Sequence, residues 1–258
     1  MTAATAAATV VAVVSPKGGV GKTTVVANLA AALSDGGRPV TVVDLDPQNA
    51  LRLHLQMSLD ESRGIAVQAL QGQPLADACF DSPQGLKVLP YGTLAESDRR
   101  DFERMLDGDP TWLSRSLAEL PLPENSLVIL DTPPGGSVYL QQALTAARFA
   151  LLVLLPDAAS FVTIASMERW LDDYSRPRPE FLGGYYLINR MNNARALCRD
   201  VLSAMNRELG ARMAPHKLHF DAAIEEALAS QLPVSRYAPD SVATRDFSAV
   251  AGWLSEKV

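Results

Sequence analysis

The sequence is short of the residues that make covalent or metal staples. Two cysteines, Cys79 and Cys198, stand far apart among 258 residues. With no CxxC partner they exclude a cysteine-built zinc or iron–sulfur site within one chain, and they point to a reducing, cytoplasmic setting. Of only three histidines, His216 and His219 lie close together, but no third ligand accompanies them, so a structural role is expected. Positive charge is in deficit: 23 Lys and Arg against 29 Asp and Glu give a net charge of −6, which argues against a uniformly basic nucleic-acid coat. No run of about 18 apolar residues occurs, so no bilayer span is expected. Internal repeats and low-complexity linkers are absent too. Trp112, Trp170 and Trp253 are isolated on helical stretches and read as packing residues.

What the chain does have is a recurrence of short apolar runs bounded by turn residues: 10–15, 39–46, 86–90, 126–131, 149–156 and 184–189. Continuous rather than alternating apolar residues mean strands covered on both faces. Between them lie helix-period stretches at 23–34, 62–71, 141–147, 164–173, 194–209 and 222–230, with a charged helical excursion over 96–124. The alternation predicts an α/β fold, a single doubly wound and mostly parallel sheet with helices on both faces. One domain over 1–258 is the economical reading, with 1–8 as a frayed tail.

The first run leads into Pro16-Lys17-Gly18-Gly19-Val20-Gly21-Lys22-Thr23-Thr24 and then a helix former. Glycines let the backbone turn tightly and present N–H groups to an anion, and the helix N-terminus adds partial positive charge. Lys22 would pair with the β and γ phosphates, and the Thr23 hydroxyl would ligate magnesium. Pro16 occupies the first glycine position of the usual GxxxxGK[ST] pattern, and Lys17 stands beside the glycines. This KGGVGKTT loop is a deviant Walker A motif, and through it the sequence resembles the ParA/MinD family of P-loop ATPases, of the SIMIBI class. The resemblance implies ATP and magnesium as cofactors, slow hydrolysis, and a homodimer in which Lys17 reaches the partner's nucleotide and takes part in catalysis with Lys22.

Acids follow at strand ends, where an open parallel sheet places its ligand crevice. Asp44-Leu45-Asp46-Pro47-Gln48 resembles the family's switch I, which makes Asp46 the residue that orients the attacking water and puts Asp44 near the magnesium shell. Asp131-Thr132-Pro133-Pro134-Gly135-Gly136 resembles Walker B and switch II: Asp131 would hold a magnesium water and Gly135 would bring a backbone N–H towards the γ-phosphate. Asn189-Arg190, after the last strand, resembles the adenine-recognition segment, where the Asn189 amide offers a donor and an acceptor to a purine edge.

Purpose has to be read between the motifs. The runs DPQNALRLHLQM, LKVLPYGTL and HFDAAIEEALASQLPVSRYAPDSVATRDF together resemble the BcsQ family, MinD-like ATPases of bacterial cellulose secretion systems. That resemblance implies a regulator that assembles with the BcsR and BcsE proteins on the cytosolic side of the cellulose synthase complex, peripheral to the inner membrane. The alternative is a partition ATPase of the ParA type that binds non-specific DNA in its ATP state. Residues 169–217 carry nine Lys and Arg against five Asp and Glu, +4 against −10 for the remainder. The C-terminal RDFSAVAGWLSEKV has Phe247, Val250 and Leu254 at helical spacing and is expected to pack on the sheet rather than lie on a membrane. Positions 131–160 hold no cysteine, which removes the nitrogenase-type reductases.

Overall fold

The computed structural model describes residues 8–258; the expected frayed tail lies outside them apart from Ala8. In chain order the elements are β1 (Thr9–Val14), α1 (Lys22–Asp35), β2 (Val40–Asp44), α2 (Leu51–His54), α3 (Ile65–Gln71), β3 (Phe80–Asp81), β4 (Lys87–Leu89), α4 (Glu96–Gly108) and α5 (Trp112–Ala118). They continue with β5 (Leu127–Asp131), α6 (Val138–Ala146), β6 (Phe149–Leu154), α7 (Ala158–Phe161), α8 (Ile164–Tyr174), β7 (Gly183–Ile188), α9 (Ala196–Leu209), α10 (Ala223–Ala229), α11 (Val234–Tyr237) and α12 (Val242–Lys257).

The seven strands form one sheet in the order β3-β4-β2-β5-β1-β6-β7, and every pairing is parallel except β3 with β4. All five residues of β2 and of β5 are buried, as are all six of β6. Successive side chains of a strand point to opposite faces, so each strand feeds two cores. In β1, Val10, Ala12 and Val14 join the core under α3, α4, α5, α6, α8 and α9, while Val11 and Val13 join the core under α1, α10 and α12. The doubly wound prediction is realised in this division.

The C-terminal helix packs as its spacing predicted: Phe247, Val250 and Leu254 are buried in the second core beside α1 residues. Trp253 meets Phe149 and Tyr185 edge-on, and Trp112 meets Phe102 in the same way. Cys198 is buried, while Cys79 is only half-buried. The 96–124 excursion is two helices, because Asp109 and Pro110 interrupt it. Among the described residues no helix is long and apolar enough to cross a membrane.

Register decides what the sheet presents. Asp44 ends β2 and Asp131 ends β5, and the two are direct neighbours in the parallel ladder. The loop after β2 is held against the loop after β4 by Asn49, whose side chain accepts from Tyr91 N (3.2 Å) and donates to Gly92 O (3.3 Å). Gly92 lies at φ 94°, and Gly64 approaches it so closely that a Cβ there would meet Gly92 N at 2.2 Å.

His54 closes α2 with its ring buried, and burial pushes its pKa down from 6.5 to about 4. The unfolded chain takes up this proton near the ordinary value, so between about pH 4 and 6.5 it binds more protons than the folded chain. Stability contributed by neutral His54 is therefore full above that window and is lost on acidification through it, by on the order of 3 kcal/mol. His54→Leu is expected to flatten the fall in the urea midpoint between neutral and mildly acid pH. A midpoint that falls as steeply in the variant as in the parent would contradict the assignment.

Candidate nucleotide site

The loop between β1 and α1 needs left-handed backbone twice, at Gly19 (φ 77°) and Gly21 (φ 83°). Gly21 is the residue before α1, and no side chain caps the helix there. The first N–H groups of α1 therefore face the cleft without a side-chain acceptor, the arrangement that suits an anion. This cleft is lined by Lys17, Gly18, Gly19, Val20, Gly21, Lys22, Thr23 and Thr24, and by Asp46, Gln48 and Pro134 from the loops after β2 and β5. The structure thus gathers the phosphate-loop residues and Asp46 into one cleft.

At its floor Lys22 Nζ stands 3.6 Å from Asp131 Oδ1, both side chains almost fully buried. That is an ion pair but too long for a hydrogen bond. Neither Asp131 oxygen has a hydrogen-bond partner among the described residues. Burial pushes the Asp131 carboxyl above its usual range, and Lys22 pulls it back down. Asp44 is likewise pushed up, by burial and then by the neighbouring Asp131 carboxylate.

The two predicted metal-side acids differ in what they touch. Asp44 Oδ1 accepts from Asp46 N (2.9 Å) and Oδ2 from Leu51 N (3.2 Å). Both its oxygens therefore brace the loop that carries Asp46. Asp46 Oδ1 accepts from Gln48 N at 3.0 Å. Asp131, by contrast, is a buried carboxylate without a hydrogen bond among the described residues, and Thr23 brings a hydroxyl to the cleft; both are hard oxygen donors. Magnesium characteristically takes one or two protein oxygens together with phosphate oxygens and waters. Among the described residues no group of three or more His, Cys, Asp or Glu is arranged to cage a metal, so these residues fit magnesium arriving with a phosphate and do not fit a metal held by protein alone.

Three placements differ from the simplest reading of the sequence. Lys17 donates to both oxygens of Asp157, at 3.1 Å each, within the same chain. Burial opposes ionisation of Asp157, but the Ser160 N–H and the Lys17 ammonium hold its carboxyl below the usual range. Gly135 lies at φ 79°, and its N–H, expected to turn towards a γ-phosphate, donates to Ser15 O at 3.0 Å. The Asn189 amide donates to Val20 O at 2.7 Å and accepts from Arg190 N at 2.9 Å. In this state its amide braces the phosphate loop, while Arg190 is exposed at φ 55°.

A second pocket opens beside Gly21 and Thr24, walled by Asn189, Arg190, His219 and Phe220. His216 is exposed; His219 pairs with Asp246, a structural contact of the expected kind with a polar partner. Sequence reasoning missed Asp157, which lies 140 residues from Lys17. Its one signal was that it is an acid three residues past the end of β6, on the side where Asp44 and Asp131 end their strands.

Comparison with known proteins agrees with this geometry. The family model described as cellulose biosynthesis protein BcsQ matches residues 8–254. Cellulose biosynthesis protein BcsQ of Salmonella typhimurium is 28% identical over 237 residues, covering 92% of this chain and 90% of that protein. The chromosome-partitioning ATPase Soj of Thermus thermophilus is 28% identical over 251 residues, 96% of each chain. Among solved structures, cobyrinic acid a,c-diamide synthase from Mycobacterium smegmatis, with bound ATP analog and magnesium, superposes with a TM-score of 0.77 at 25% identity, covering 96% of this chain and 95% of that one. Its strand order, phosphate loop and near-complete match to the family model mean that the chain belongs to the BcsQ family of ParA/MinD-like P-loop ATPases.

Proposed function

We propose that the chain is a magnesium- and ATP-dependent dimerisation switch that serves assembly or regulation of a bacterial cellulose secretion complex. The observation that carries this reading is the buried Asp131 carboxylate, without a hydrogen-bond partner, under an uncapped helix N-terminus. Buried polar groups are nearly always satisfied in native proteins, so this one argues for a guest. The bound ATP analog and magnesium of the Mycobacterium smegmatis neighbour support the choice of guest.

In this reading the α1 N–H groups and Lys22 bind the phosphates, and Gly18 to Thr24 shape the cradle around them. Thr23 and Asp131 would hold magnesium, with Asp44 as an outer neighbour. The metal supplies neutralisation of charge on the phosphate oxygens. Asp46 orients the attacking water through Oδ2, since Oδ1 is engaged by Gln48 N. Gly135 N–H would leave Ser15 O to meet the γ-phosphate, which makes the loop after β5 a sensor of that group. Asn189 and Arg190 form part of the wall beside the base.

Lys17 is the group that leaves its own subunit. Its pair with Asp157 is about one third exposed on both sides, and such pairs contribute about 0–1 kcal/mol. A partner's phosphates, carrying several negative charges, would outcompete a single carboxylate at that strength. Two copies would then sandwich two nucleotides, and only the dimer would present the surface for BcsR, BcsE and the cytosolic side of the synthase. A DNA-riding role is weaker. In the basic 169–217 segment Arg176, Arg178 and Arg212 are already paired with Glu168, Asp172 or Glu180, which reduces the charge left for phosphate contacts.

Two outcomes check this reading. With ATP and magnesium, light scattering on a sizing column should give twice the 27.7 kDa chain mass for the parent and a single chain mass for Lys17→Ala; a Lys17→Ala dimer equal to the parent's would remove the role of Lys17. Asp46→Asn keeps the shape and the Gln48 contact, so it should still dimerise while releasing phosphate at least about a hundredfold more slowly; unchanged release would remove Asp46 from the reaction.

A further inference from the structure

We infer that Asn49 is a positioning residue for hydrolysis: its amide, with the Tyr91–Tyr139 hydroxyl pair behind it, fixes the loop that carries Asp46 to the helix that follows Gly135. This rests on the reading of Asp46 as the group that orients the attacking water.

Residues 46–49 form one tight turn after β2. Asn49 N donates to Asp46 O at 2.8 Å, and Gln48 N donates to Asp46 Oδ1 at 3.0 Å. Asp46 and Gln48 line the phosphate cleft, whereas Asn49 does not. Asn49 is buried and holds left-handed backbone, φ 51°. Asp44 braces the turn from β2, through Asp46 N and Leu51 N. The Asn49 amide ties it to a different loop: its oxygen accepts from Tyr91 N at 3.2 Å, and its nitrogen donates to Gly92 O at 3.3 Å. Only one orientation of the amide satisfies both bonds.

That anchor is itself held from two sides. Pro90 O and Tyr91 O accept from Ile65 N (2.8 Å) and Ala66 N (3.1 Å) at the start of α3. The Tyr91 ring is buried edge-on to Phe102, and its hydroxyl lies 2.8 Å from that of Tyr139. The Tyr139 hydroxyl donates to Glu103 Oε1 at 3.2 Å. A hydroxyl has one proton to give, so Tyr91 supplies the proton of the hydroxyl pair.

Tyr139 is the second residue of α6, whose first turn is capped by Ser137 accepting from Leu140 N. Gly135 and Gly136 run directly into that cap. Bonds through Asn49, Tyr91 and Tyr139 therefore join the Asp46 turn to the loop that is proposed to meet the γ-phosphate. Aligning a water for attack is sensitive to misplacement of about 1 Å, which costs on the order of a hundredfold in rate. Holding the phosphates is the task proposed for the α1 N–H groups and Lys22, and Asn49 touches neither. Loosening Asn49 should thus lower kcat and spare ATP binding.

Steady-state phosphate release, read beside calorimetric binding of ATP with magnesium, tests the inference. Glycine adopts φ 51° without strain, so Asn49→Gly removes the amide and keeps the turn. Its kcat should fall about tenfold or more, with KM and ATP affinity within about twofold of the parent and the dimer mass unchanged. Tyr91→Phe and Tyr139→Phe keep the rings, and each should lower kcat about fivefold. The double variant should be no slower than Tyr139→Phe, because the Tyr91 hydroxyl acts only through that of Tyr139. The tyrosine variants carry the test if Asn49→Gly melts early. A folded Asn49→Gly with the parent's kcat, an ATP affinity that falls in step with kcat, tyrosine variants at the parent's rate, or tyrosine losses that multiply would overturn the inference alone. No phosphate release by the parent, or undiminished release by Asp46→Asn, would overturn the underlying reading with it.

Discussion

The long contact between Lys22 and Asp131 organises the site. Two charges are removed from water at the end of the central strands, and their 3.6 Å separation leaves the carboxylate without a hydrogen bond. Burying ions costs several kcal/mol each unless pairing and hydrogen bonds compensate. Here the compensation is partial, and next to Asp131 in the ladder lies a second buried acid, Asp44, whose carboxyl is itself pushed up. A closed structural ion pair would be better satisfied. An incomplete pair under free helix N–H groups is what the proposed binding of magnesium with a phosphate would complete.

The rest of the molecule holds that pair in place. β1, β2 and β5 are adjacent in the sheet, so the phosphate loop, the Asp46 loop and the Asp131 loop all emerge on one edge. α1 is clamped from behind by α12, and Asn28 on α1 accepts from Val234 N at 2.7 Å. Against this floor the two lysines differ in burial. Lys22 is enclosed, whereas Lys17 is about one third exposed and paired with a single, similarly exposed carboxylate. That difference in burial is what supports the separate roles proposed for the two lysines.

Much of this was legible in the sequence because strands covered on both faces are unbroken apolar runs, and a phosphate loop must have its glycines. All six apolar runs became strands, and Asp44 and Asp131 fell at strand ends as expected. The sequence did not reveal β3, a two-residue antiparallel edge with no apolar signature. Nor did it reveal relations that depend on folding alone. Asp157 meets Lys17 across 140 positions, and the Asn189 amide is engaged by Val20 across 169. Asp44 shows the same limit: an acid at a strand end reads as a ligand until its oxygens are seen to accept loop N–H groups. Spacing along a chain places a residue near a site, but only hydrogen-bond partners reveal which atoms are still free to act.

In the proposed function Asp131 takes magnesium and the α1 N-terminus takes phosphate. The most direct measurement is calorimetric titration of ATP into the intact chain, once with magnesium and once with a chelator. The account predicts one saturable site per chain that tightens when magnesium is present. Absence of ATP binding, or an affinity indifferent to magnesium, would contradict it.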